Sequence, residues 1–310
     1  MNMVITGLGI VAPGVGKPAE ALAPVMKPEP GWFDVAATLP GRGYKRLPSA
    51  CQYLLVAARA AITDADDPLS SVDPTRRAAV VGTNNAGAEL LEQIDRTIID
   101  SGSGELSPIT APFMAMSSFA SRLSIEHAIQ GFNLTTNSPR TAGLDAIGIA
   151  VRALRTKRAD VLVVGATEDA PPPGQRTGAP DVGAAALVCE PVEVAMARGV
   201  TVYGTCRVRS FFLDPARPDT GILPTGLAQV DTALDDSPVG EAVRAWAGTH
   251  REHTVDVDSG CLTPMRVLLG LLATGEDRPV KRTVLTASAE GTVALAELEV
   301  SPRNYIIERS

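Results

Sequence analysis

A chain of 310 residues with 45% hydrophobic and 20% charged residues holds enough apolar material for one large core or two fused ones, and too much to be disordered. Its 28 basic and 35 acidic residues are interspersed and leave a net charge of −7, which argues against nucleic acid as a partner, because phosphate neutralisation needs a basic face. The four cysteines, Cys51, Cys189, Cys206 and Cys261, form no C-x-x-C pair and no metal-ligand spacing, and no apolar run reaches the ~20 residues of a membrane span. The expectation is a cytoplasmic protein with reduced thiols, no metal and no membrane contact.

In chain order, Met3-Val-Ile-Thr-Gly-Leu-Gly-Ile-Val-Ala-Pro13 opens as a buried β-branched strand entering a Gly-rich turn, without the basic region or cleavage site of a signal peptide. Gly7-Leu-Gly9 is half of a dinucleotide fingerprint, but the third Gly and the downstream acid are missing, so no cofactor is expected. Residues 14–48 read as surface loop and 51–62 as a helix of small apolar residues. The acidic run Asp64-Ala-Asp-Asp67 before Pro68 opposes a helix dipole and reads as solvated loop. A buried strand at 78–82, an Asn/Gly turn and a helix at 89–100 form an α/β unit of the parallel type. The stretch 112–129 reads as a helix carrying Met114, Met116, Phe119 and Leu123, a stripe that suits core, a subunit contact or a ligand wall.

The most informative stretch is Gly131-Phe-Asn-Leu-Thr-Thr-Asn-Ser-Pro-Arg-Thr-Ala-Gly-Leu-Asp-Ala-Ile-Gly148. It predicts a short strand, a sharp turn and a helix whose apolar positions Leu144, Ile147, Val151 and Leu154 share one face. Enzymes use this geometry to display a nucleophile at the positive end of a helix. Here the turn displays Arg140, which stays protonated and can act neither as nucleophile nor as base.

Beyond it, strands are expected at 159–168, 183–190 and 200–208, with a short helix at 193–198. Residues 212–240 are rich in Pro and Asp and give no assignment. A helix at 241–246, a short strand at 254–257, an apolar helix at 262–273 and a hairpin of 283–288 with 292–299 complete the chain. Two series of strands and helices meet near residue 190, which suggests duplicated α/β halves, 1–190 and 191–310, the second reduced.

Several of these pieces, in this order, resemble the β-ketoacyl synthases of fatty-acid and polyketide assembly. Residues 3–13 resemble their first strand and turn, and 112–133 the approach to their nucleophile. Ala159-Asp-Val-Leu-Val-Val-Gly-Ala-Thr-Glu168 is similar to the strand that follows it. Gly183-Ala-Ala-Ala-Leu-Val-Cys-Glu190 continuing to Tyr203 is similar to the crossing into the second half. Residues 259–270 and 290–295 resemble the last active-site helix and the closing hairpin. The resemblance implies a thiolase-like fold, α/β with duplicated α-β-α-β-α layered halves and a shortened C-terminal half. It also implies a Cys/His/His site, and position by position that site is lost. Arg140 stands at the cysteine position, residues 225–232 hold no histidine where an H-G-T motif would fall, and Pro264-Met265 matches the second histidine's G-H pair.

The remaining candidates are weak. His127 reads as surface or core packing, His250 and His253 as a solvated face with metal-compatible spacing on a helix but no third ligand, and Cys261 as a small buried hydrophobe lacking a positioned histidine. The resemblance then implies no catalytic residues, with Arg140 and Met265 as degenerate positions, and a subunit of the chain-length-factor type. Such a subunit pairs with an active ketosynthase through Phe132, Asn133, Leu134, Thr135, Thr136 and Asn137. It shapes the acyl tunnel with Met114, Met116 and Phe119, and meets acyl carrier protein through the complex, docked mainly by the partner. Two alternatives stay open: a ketosynthase-like decarboxylase or acyltransferase using Cys261 or His250, and an acyl-binding homodimer.

Overall fold

The computed structural model describes residues 3–108, 110–172, 174, 181–253, 260–303 and 305–306. The first series of strands is β1 (Met3–Val11), β2 (Arg77–Thr83), β3 (Asn133–Asn137), β4 (Val161–Glu168) and β5 (Gly183–Pro191). The second is β6 (Gly204–Phe212), β7 (Val230–Ala233), β8 (Arg251–Glu252), β9 (Val280–Ala287) and β10 (Thr292–Val300). All join one sheet in the order β3-β2-β4-β5-β1-β6-β10-β9-β7-β8.

Counted outward from the middle, each unit runs first, fifth, fourth, second, third strand. In each, the first pair of neighbours and the next are antiparallel, and the two outer pairs are parallel. The duplication suggested by the order of elements is thus repeated in strand order and direction. In the sheet, among the described residues, the units are paired at Val4 with Thr205 and Ile5 with Gly204, and the chain passes between them through a short helix at Val192–Arg198.

The helices are α1 (Val35–Thr38), α2 (Ser49–Asp64), α3 (Ala88–Ser101), α4 (Ser117–Glu126), α5 (Ala142–Arg155), α6 (Val192–Arg198), α7 (Pro238–Ala247) and α8 (Leu262–Thr274). Three apolar cores give the layering. The central one joins Leu144, Ile147 and Leu154 of α5 and Met265, Leu268 and Leu272 of α8 to strand residues of both units, such as Leu187 and Val284. An outer core packs α2 and α4 on the far face of the first unit, and another packs Leu213, Val239 and Val243 on the far face of the second. Val80 and Val164 face the central core while their neighbours Val81 and Val163 face the outer one. A sheet buried on both faces explains why these strands read as unbroken apolar runs.

The glycines of the truncated fingerprint are packing positions. A Cβ on Gly7 would stand 2.1 Å from the Ala61 carbonyl oxygen, and one on Gly9 would stand 2.0 Å from that of Ala57, so α2 lies directly on β1. The second unit has no helix at this place. Between β6 and β7 the described structure is loop with one 3-10 turn at Thr220–Ile222, and this is where the C-terminal half is shortened.

Four local expectations are corrected. The helix expected at 51–62 continues through Asp64, whose carboxylate accepts Leu8 N–H (2.9 Å) and the Tyr203 hydroxyl (3.1 Å). The acidic run therefore begins with a residue that fastens α2 to β1 beside the bulge between Ile5 and Gly7. The helix expected at 112–129 is a 3-10 turn at Ala111–Met114 followed by α4 alone, the two separated where Ala115 takes an extended conformation. The strand expected at 200–208 starts four residues later, at Gly204. Residues 254–257 lie outside the described residues.

Candidate functional site

The turn between β3 and α5 is held from all sides. Thr141 N–H donates to the Pro139 carbonyl at 2.6 Å, and the Ser138 and Thr141 hydroxyls are 2.9 Å apart. A Cβ on Gly82 would lie 2.4 Å from the Ala142 carbonyl, so the first turn of α5 rests on the backbone of β2. One on Gly143 would lie 2.5 Å from Met265 Cγ, so α8 closes the other side. Within this frame Arg140 takes φ = +59°, the left-handed region that a non-glycine residue enters at a cost of roughly 1–2 kcal/mol. A strained residue between a strand and a buried helix is the geometry of a displayed nucleophile, kept here around a cation.

Arg140 is 5% exposed, and its Nε donates to Asp235 Oδ2 at 3.1 Å. Asp235 lies between β7 and α7 and is itself held by the backbone N–H and hydroxyl of Ser237. A cation at a helix N-terminus opposes the dipole, and a buried one needs a counter-charge. Asp235 supplies it from the other unit. The segment that meets the turn is therefore 234–237, not the 225–232 aligned with an H-G-T motif, and neither contains histidine. Met265 does reach the turn, as a fully buried thioether.

The start of α8 lies against the same layer. Asp181 accepts Leu262 N–H (3.0 Å), Thr263 N–H (2.9 Å) and the Thr263 hydroxyl (3.0 Å), acting as the cap of α8 from 81 residues away. Glu168, fully buried at the end of β4, accepts the backbone N–H groups of Asn84 (2.8 Å), Asn85 (2.6 Å) and Cys261 (2.8 Å). Burial pushes its carboxyl up to about 7, against the pull of those N–H groups and helped by the neighbouring Asp181. Burial also holds the Cys261 thiol well above its ordinary value, with the Glu168 carboxylate beside it adding to the effect. A thiol this reluctant to ionise is a poor nucleophile.

The histidines lie elsewhere. His127 ends α4, where burial lowers its pKa. His250 approaches the Gly248 carbonyl through Nδ1 at 2.6 Å. His253 is not on a solvated face: its Nε2 lies 2.8 Å from Oδ1 of Asp231, a carboxylate 1% exposed on β7. The helix assumed for His250-Arg-Glu-His253 is replaced by the strand β8, and among the described residues no group of three or more His, Cys, Asp and Glu could hold a metal ion. The His253–Asp231 pair is a feature sequence reasoning missed; no local spacing reveals two partners 22 residues apart.

β3 is an edge strand, bonded only to β2 among the described residues. Leu134 on it is 43% exposed, near the 71%-exposed Ile125 of the adjoining α4, and Phe132 before it packs on the central core. The three residues assigned to a tunnel wall are spread out. Phe119 is fully buried in the outer core, Met116 packs against that core, and Met114 is 53% exposed.

Residues 33–186 match the N-terminal domain of the beta-ketoacyl synthases. These residues form a β-ketoacyl synthase N-terminal domain. It is 28% identical over 294 residues to a putative polyketide beta-ketoacyl synthase 1 of Streptomyces halstedii, covering 76% of this chain and 69% of that one. It is 24% identical over 252 residues to 3-oxoacyl-[acyl-carrier-protein] synthase 2 of Synechocystis sp., covering 66% of this chain and 61% of the cyanobacterial protein's length. Among solved structures, the ishigamide ketosynthase/chain length factor superposes with a TM-score of 0.78 at 20% identity, over 97% of this chain and 100% of that chain. A type II polyketide acyl-carrier protein in complex with its ketosynthase superposes at 0.77 and 16% identity, over 96% and 99%. At these identities the likeness establishes the thiolase-like fold of this chain. No helix of the described residues is long and apolar enough to cross a membrane.

Proposed function

We propose that this ketosynthase relative is a non-catalytic, chain-length-factor-like subunit that pairs with an active ketosynthase in type II polyketide or fatty-acid-like chain elongation. The observation that carries the reading is Arg140. The strained turn is intact, but its displayed residue is a buried cation tied to Asp235, with Met265 and the 234–237 loop around it where a thiolate and histidines would act. Acyl transfer needs a nucleophile and a group that stabilises the thioester oxygen in step with attack. The ion pair fills that place, so the turn serves as scaffold, and the chemistry belongs to a partner.

The edge strand supports the pairing. An unpaired row of backbone groups beside exposed Leu134 and Ile125 is a surface a second ketosynthase-fold subunit can cover. In this arrangement Phe132, Asn133, Leu134, Thr135, Thr136 and Asn137 form the contact. Met114, exposed nearby in sequence to α4, would reach the shared tunnel, with Met116 and Phe119 backing it. With a net charge of −7, this chain leaves docking of the acyl carrier protein mainly to its partner. The test is co-expression with the products of its genomic neighbours, asking whether it co-purifies with an active ketosynthase. The two chains are expected to purify as a one-to-one complex, and Leu134→Lys is expected to separate them while this chain stays folded. Purification of this chain as a homodimer that ignores the ketosynthase would overturn the reading.

A further inference from the structure

A cavity of about 270 Å³ lies between α8, β8 and the 21–25 segment, away from the Arg140 turn. Leu22, Pro24 and Val267 give it apolar walls, and Arg251, Glu252, His253, Thr263 and Arg266 give it polar groups. Arg266 is 2% exposed, yet among the described residues it donates only to the Ala23 carbonyl, at 3.2 Å, and its Nε has no hydrogen-bond partner there. A buried guanidinium that leaves a donor unused has lost a hydrogen bond it would make in water, and the side chain's planar fork matches a carboxylate. Among the described residues, Asp181 acts on Arg266 through its charge but gives its hydrogen bonds to the start of α8, and Glu252 at the rim accepts from Arg244 at 2.8 Å. His253 stands in the same wall with its Nε2 2.8 Å from Oδ1 of buried Asp231.

We propose that this cavity binds a small organic carboxylate, its head on Arg266 and His253 and its short apolar body against Leu22, Pro24 and Val267. The Arg266 guanidinium supplies the charge that a single carboxylate needs, and the apolar walls favour a carbon chain over a bare oxyanion. The site is independent of the subunit pairing proposed above.

The test uses the full chain, purified alone or with its partner, and titration calorimetry with butyrate and with inorganic phosphate. Saturable butyrate binding is expected, stronger than phosphate binding. Arg266→Gln is expected to weaken it by about tenfold or more, as loss of a charge-assisted bidentate bond does. His253→Asn, at the wall and remote from the core of α8, is expected to weaken it several-fold and serves where Arg266→Gln fails to fold. Binding of neither anion, butyrate binding unchanged in both variants, or phosphate binding at least as tight as butyrate would each overturn the proposal.

Discussion

The two five-strand units repeat strand order and direction, yet they are covered differently. The first carries α2, seated so closely on β1 that Gly7 and Gly9 admit no side chain, whereas the second has only loop and a 3-10 turn between β6 and β7. The central layer shows no such asymmetry: α5 and α8 share one core, and each is held at its start by an acid from the other unit. Asp235 of the second unit neutralises Arg140 before α5, and Asp181 of the first caps α8. The outer layer can therefore lose an element while the middle cannot, and the reduced half still frames the turn.

This comparison can be broken at its strongest point first. Gly9→Val should destabilise by more than about 3 kcal/mol or abolish soluble expression, since the new side chain meets backbone of α2. Ile222→Ser, at a 55%-exposed site in the shortened region, should stay within about 0.5 kcal/mol in urea unfolding. Equal losses would remove the distinction between the two outer layers. Next comes the capping acid. Asp181→Ala orphans two N–H groups and a hydroxyl at the start of α8 and should cost roughly 2–4 kcal/mol in the same measurement. Asp235→Ala leaves Arg140 buried without its carboxylate and should cost about 2–3 kcal/mol. A double-mutant cycle with Arg140→Ala should return a coupling of roughly 1–3 kcal/mol, and a coupling near zero would deny that the pair holds the turn.

The smallest effect is the pH dependence. Burial raises Glu168 to about 7, Asp169 to about 6, and Asp181 above its usual range. Groups whose folded-state pKa is raised bind protons more tightly in the native chain, so their contribution is fully present below the ordinary carboxylate range. It is lost as pH rises through about 6 to 7. The melting temperature should therefore fall between pH 5 and pH 8 on this account, by roughly 1–3 kcal/mol of stability for Glu168. Glu168→Gln should flatten that part of the profile. A profile that rises across the window would show that these carboxyls stay ionised in the folded chain.

Legibility followed physical range. β4 and β5 are buried on both faces and could be read as continuous apolar runs, and α5 and α8 through their helical spacing or apolar length. The turn was legible because strand, Ser-Pro and helix adjoin. What escaped was set by distance in the chain. Arg140 meets Asp235 across 95 residues, Leu8 meets Asp64 across 56, and His253 meets Asp231 across 22. β6 was misplaced because its exposed and buried positions mix without either period, while its start is fixed by pairing of Gly204 with Val300 and Ile5. Met114 and Phe119 suggest one stripe in the sequence, but the extended Ala115 separates the 3-10 turn from α4, leaving Met114 exposed and Phe119 buried.

The central claim is that the turn is kept as scaffold while a partner supplies the chemistry. Reconstituted elongation with a malonyl extender, carried by this chain and its co-purified ketosynthase, tests it most directly. The account predicts that elongation needs both chains, is abolished by replacing the ketosynthase's nucleophile, and survives Arg140→Gln in this chain. Turnover by this chain alone, or loss of activity in Arg140→Gln while the complex stays assembled, would contradict it.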